Sequence, residues 1–87
     1  MMAPGQMLQH LCQLADKMGY QVRMEILSGS GGLCEIRGAK VLFLDISLDL
    51  AQQIEQAAEA LCCQPGIDDV YILPEVREYL RKTQDQT

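Results

Sequence analysis

From Pro4 to Met18 the apolar residues Met7, Leu8, Leu11, Leu14, Ala15 and Met18 recur at three- and four-residue intervals, with Gln6, Gln9, His10, Gln13 and Lys17 between them. That spacing lays one apolar stripe along a helix, predicted over residues 4–18. Gly19 closes it, because glycine readily takes the left-handed conformation that ends helices. The period then changes from about four to two. Tyr20, Val22, Met24 and Ile26 alternate with Gln21, Arg23 and Glu25, the repeat of a half-buried strand, predicted over 20–27.

The run from Gly31 to Asp45 reads as a β-hairpin with strands over 33–37 and 40–46. A glycine at the first position of a two-residue Gly38-Ala39 loop suits a type II′ turn. Such a loop pairs Ile36 with Val41 and Cys34 with Phe43, which gathers four apolar side chains on one sheet face. That face is expected to be the core. The other face carries Glu35, Arg37 and Lys40 near the turn and Leu33, Leu42, Leu44 and Ile46 farther from it. Its apolar end needs a cover, from a helix of the same chain or from a second copy of the protein.

Asp49-x-x-Gln52 has the form of a capping box, and Leu50, Ile54, Ala57, Ala58, Leu61 and Cys62 make the apolar stripe of a helix over 49–63. Pro65-Gly66 ends it. Val70 to Leu73 fits either an edge strand or a single helical turn, with the turn preferred. Pro74 opens a last helix over 74–82, with Val76, Tyr79 and Leu80 at helical spacing, and the polar tail 83–87 is expected to fray. The elements together predict a single α+β domain over residues 1–87. Its small, three-stranded, largely antiparallel sheet packs against an N-terminal helix, a second amphipathic helix and a short C-terminal helix.

Composition narrows the function classes. A chain of 87 residues builds one modest core, burying about 60–65% of the surface exposed by its unfolded form. Although 48% of residues are apolar, no apolar run approaches the ~20 residues of a membrane span. Met1 to Gln6 has no basic stretch followed by an apolar one, so the expected location is the cytoplasm. Cys12, Cys34, Cys62 and Cys63 form neither a disulfide framework nor a C-x-x-C pair, in keeping with reduced thiols. The net charge is −5, and the seven basic residues do not gather into a stripe, which argues against nucleic acid as a partner.

Candidate chemistry is sparse. Ser28-Gly29-Ser30-Gly31-Gly32 could present backbone N–H groups to an anion, but no Gly-Lys-Ser/Thr ending accompanies it, so it reads as a strand connection. His10, the only histidine, has neither carboxylate nor nucleophile in its own turns. Cys34 lies on the expected core face, and Cys62 and Cys63 sit at a helix C-terminus, whose dipole opposes thiolate formation. One histidine and four scattered cysteines do not make a zinc set. No catalytic residue, metal site or cofactor is therefore assigned. The expected function is a non-enzymatic protein–protein interaction or accessory domain that binds a protein partner or itself as a homodimer. The surface for it would be Leu33, Leu42 and Leu44, or Val76, Tyr79 and Arg81. The alternative is a thiol or small-ligand site at Gly31, Gly32 and Cys34.

The segments Gly31-Gly32-Leu33-Cys34, Gly38, Val41-Leu42-Phe43-Leu44-Asp45 and Pro74-Glu75-Val76-Arg77 resemble small bacterial proteins of unknown function with a helix, strand, hairpin and helix layout. The same succession is distantly similar to metallopeptidases of the IrrE/ImmA type, in which a helical H-E-x-x-H supplies zinc ligands and the general base. The comparable stretch here is Ala58-Glu59-Ala60-Leu61-Cys62. Both histidine positions differ, so the likeness implies a non-catalytic relative, with neither metal nor hydrolysis carried over.

Overall fold

The computed structural model describes residues 2–26, 32–62 and 64–85. Three α-helices and three strands follow in the order α1 (Pro4–Lys17), β1 (Gln21–Glu25), β2 (Gly32–Ile36), β3 (Ala39–Asp45), α2 (Leu50–Leu61) and α3 (Pro74–Asp85), with a 3-10 turn at Ile67–Asp69. The expected α+β architecture is present, built on a three-stranded mixed sheet of order β1-β3-β2. β3 is the longest strand and the central one, antiparallel to β2 and parallel to β1. Gln21 lies beside Val41 and Glu25 beside Asp45. The Ile46 N–H extends that pairing by donating to the Glu25 carbonyl at 3.1 Å.

The helix ends follow from local chemistry. Pro4 starts α1, and the Gln6 side chain accepts the Ala3 N–H at 3.0 Å. Gly19, at φ 89°, closes it, and the Tyr20 N–H returns to the Ala15 carbonyl at 2.9 Å. At α2, Asp49 accepts the Gln52 N–H at 2.8 Å and Gln52 accepts the Asp49 N–H at 3.3 Å, the reciprocal pair read from the sequence.

α1 and α2 pack on each other and on one face of the sheet, and α3 packs mainly across α2. Leu11, Leu14 and Ala15 of α1, Leu42 and Leu44 of β3, Ala57, Ala58 and Leu61 of α2, and Val76 and Leu80 of α3 form one core. The small Ala57 and Ala58, both fully buried, let α2 lie close to its neighbours. Among the described residues, no helix is long and apolar enough to cross a membrane.

Three expectations are corrected. The hairpin turns on Arg37-Gly38 rather than Gly38-Ala39, since Ile36 pairs with Ala39 and Cys34 with Val41. Arg37 and Gly38 both have positive φ, 51° and 82°, the signature of a type I′ turn, whose twist matches that of the strands it joins. The register moves by two residues, so each side chain keeps its face, but the assignment of inside and outside is reversed. Leu42 and Leu44 are fully buried beneath the helices, whereas Cys34 and Ile36 are exposed. Both rows are apolar, and Val41 of the other row is buried too, so the choice is made by packing: it is the row of leucines that α1 and α2 cover. Val70 to Leu73 is neither strand nor helical turn. It leaves the 3-10 turn extended (Val70 at φ −107°, ψ 138°), and it anchors by buried Ile72.

The last helix reaches Asp85, beyond the expected 82, and the Thr83 hydroxyl donates to the Tyr79 carbonyl at 3.0 Å. Leu27 of the expected first strand, the glycine-rich segment Ser28 to Gly31, Cys63 and the final two residues lie outside the described residues.

Two outcomes test this arrangement. Leu42→Ala or Leu44→Ala should each lower unfolding free energy by about 2–5 kcal/mol in urea titrations, and lysine at either position should abolish folding. Arg37→Asn should stabilise the hairpin by about 0.5–1 kcal/mol, because asparagine tolerates the left-handed conformation. A turn at Gly38-Ala39 would make the same change destabilising.

Candidate functional site

With both sheet-covering helices on the inner face, the outer face carries no helix among the described residues. Strand alternation places Gln21, Arg23 and Glu25 of β1, Val41 and Phe43 of β3, and Cys34 and Ile36 of β2 on it. Val41 sits between Gln21 and Cys34 in the register and is buried there, outside the cluster that the helices cover, while Phe43 is half-buried and Cys34 and Ile36 are exposed. Arg23 lies directly beside Phe43, with its guanidinium 5.9 Å from the ring centroid, and its Nε meets Glu25 Oε2 at 3.0 Å. The face is thus apolar along β3 and β2 and bears an opposite-charge pair along β1.

Polar contacts seal the two ends of β3. Lys40 lies 5.4 Å from the ring centroid of buried Tyr20, whose hydroxyl donates to Gln64 Oε1 at 2.9 Å. Asp45, at the other end of β3, is buried, and its carboxylate accepts both the Ser47 N–H at 2.9 Å and the Ser47 hydroxyl at 2.6 Å. Its own N–H donates to Gln56 Oε1 at 2.9 Å, tying the strand to α2.

A second concavity of about 520 Å³ opens between the start of α1, α2 and α3. Met2, Met7, Ile54 and Tyr79 line it, and Glu55, Glu75 and Glu78 stand around it with Lys82. Glu75 accepts the Met2 N–H at 2.7 Å, and Glu78 meets Lys82 at 3.6 Å. Burial, then the charges of Glu55 and Glu59, push the Tyr79 phenol above its ordinary value of about 10.

Neither set of residues expected to form an interaction surface makes an open one. Leu42 and Leu44 are core and Leu33 is half-buried beside them, so their apolar face is covered from within the chain by α1 and α2. That corrects the expectation that Leu42 and Leu44 are available to a partner. Val76 is buried against the core, Tyr79 faces the cleft, and exposed Arg81 lies by a shallow depression on another side of α3. Of the alternative thiol site, Gly31 lies outside the described residues, Gly32 begins β2 at φ 113°, and Cys34 is exposed on the outer sheet face rather than in the core. Burial raises the Cys12 thiol, which holds it in the protonated form. His10 borders a cavity of about 220 Å³ with Lys17, Tyr71 and Leu73, and no carboxylate lines it. Among the described residues no three His, Cys, Asp or Glu side chains gather closely enough to hold a metal ion.

The acidic cleft was missed from the sequence. Its signal was there in the spacing: Glu55 and Glu59 are four apart on α2, and Glu75 and Glu78 three apart on α3, each pair bordering an apolar stripe. No protein family, curated protein or solved structure was found to match this chain.

The position of Tyr79 is open to measurement. Its raised folded-state value favours the neutral phenol, so its contribution to stability is complete below about pH 10 and is lost as pH rises through the folded value. In a spectrophotometric titration, Tyr79→Phe should remove the component ionising above pH ~10, and Glu55→Gln should move that component down.

Proposed function

We propose that the chain is a non-enzymatic interaction domain that associates with a second copy of itself through the outer face of its sheet. The observation that carries this is the apolar row of exposed Ile36, half-buried Phe43 and buried Val41, on the face opposite both sheet-covering helices. A two-fold partner is favoured by charge: Arg23 and Glu25 sit side by side on one margin, so each can meet its opposite when the face is turned upon itself. The size of the face sets the strength. Three strands ~4.8 Å apart and five residues at ~3.3 Å each give roughly 14 by 17 Å, well below the ~800 Å² per partner of a standard interface. The association is accordingly weak and concentration-dependent. A reducing, cytoplasmic setting accords with the free state of Cys12, Cys34 and Cys62, and the net charge of −5 disfavours nucleic acid and anionic membranes as partners.

Light scattering across a concentration series, with reductant, should show the mass rising from that of one chain toward two. Ile36→Lys should hold the chain monomeric with an unchanged circular dichroism spectrum, since Ile36 is already 44% exposed. Iodoacetamide should label Cys34 more slowly as concentration rises. A constant monomer mass up to about 1 mM, where even a millimolar association would show, overturns self-association. Labelling of Cys34 faster than a free thiol at every concentration would instead favour the thiol or small-ligand reading.

A further inference from the structure

We propose that the cleft between α2 and α3 is a docking groove for a basic amphipathic helix of a partner protein. This does not rest on self-association through the sheet, which uses the opposite side of the fold.

The walls of the cleft are helix faces. α3 contributes positions 75, 78, 79 and 82 and α2 positions 51, 54 and 55, the spacing of one side of each helix. From Glu75 to Lys82 the groove follows about two turns of α3, ~10 Å of helix axis. A groove between two packed helices is the natural seat of a third, whose apolar side chains enter at i, i+3 and i+4. The apolar lining is ready for them: Met2 and Met7 are adaptable in shape, and Ile54 and the Tyr79 ring give the groove a firm wall.

Charge selects the occupant. Glu55, Glu75 and Glu78 border the groove against the single ammonium of Lys82, and Glu59 continues the row of carboxylates along α2 within electrostatic reach of Tyr79. Lys82 is already paired with Glu78, while among the described residues no ion pair engages Glu55 or Glu59. An acidic or neutral helix would face uncompensated repulsion or leave these carboxylates unpaired, whereas lysines or arginines flanking an apolar stripe would meet them. A second copy of this chain does not supply such a helix. Its helical basic residues are Lys17 of α1 and Arg77, Arg81 and Lys82 of α3, and the apolar faces of both helices, Leu11 and Leu14 on one and Val76 and Leu80 on the other, are already buried in the core.

The test uses two synthetic helices of about four turns with the same leucine stripe, one carrying lysines on its flanks and the other glutamates. Binding is followed through the methyl NMR signals of Met2 and Met7. The lysine peptide should shift both and weaken as salt shortens the Debye length; the glutamate peptide should shift neither. Glu55→Gln with Glu78→Gln should weaken binding about fivefold. A control of equal charge change away from the cleft, Glu35→Gln with Asp16→Asn, should leave it unchanged, as should Ile36→Lys. Absence of methyl shifts at about 1 mM lysine peptide overturns the proposal. So does equal binding of the glutamate peptide, or equal weakening by the control pair, which would mean attraction to the net charge alone.

Discussion

The structure depends on the burial of two leucines of the central strand. Leu42 and Leu44 are completely removed from water between β1 and β2, beneath α1 and α2. Each such burial is worth about 1.5–3 kcal/mol by area, a sizeable fraction of what a chain of this length can gain on folding. Because β3 pairs with both neighbours, the same two side chains determine which way the whole sheet faces. Once they point toward the helices, Val41 and Phe43 must point away, since alternate residues of a strand leave on opposite sides.

That orientation explains the character of both surfaces. The sheet's outer face receives only what the alternation leaves over: a short apolar row, an exposed thiol at Cys34, and Arg23 stacked beside Phe43 and paired with Glu25. On the far side of the fold, α3 covers α2 incompletely. Its apolar face is only a few residues wide, and Val76 and Leu80 are spent on the core. Tyr79 is left at the border, with apolar Met2, Met7 and Ile54 on one side and carboxylates on the other. The cleft is a consequence of packing a narrow third helix onto a two-helix layer.

The same packing sets the surroundings of the histidine and of two of the thiols. His10 is separated from the acidic side chains by its position on α1, beside Lys17 and an aromatic residue rather than a carboxylate. Cys12 is kept protonated by burial, and Cys62 donates to the Glu59 carbonyl at the end of α2 from within the core.

Much of the fold was legible in the sequence because it is written in local periods and end signals. The stripe of α1 and its stop at Gly19, the Asp49–Gln52 capping box and the proline start of α3 each involve residues within a turn of one another. What one strand shows its neighbours was legible too: the separation of Cys34, Ile36, Val41 and Phe43 from Leu33, Leu42 and Leu44 survived a two-residue change of register. Which of those two sets faces inward was not, because both are apolar and the choice is made by the helices that pack on them. The parallel pairing of β1 with β3, the I′ turn at Arg37-Gly38 and the acidic cleft were likewise decided in three dimensions. Each joins residues distant in the chain or balances two local preferences of similar strength. Sequence by itself determined the elements and their faces; tertiary packing decided which face the helices cover and which is left outside them, because burial is a property of the assembled layers and not of any one strand.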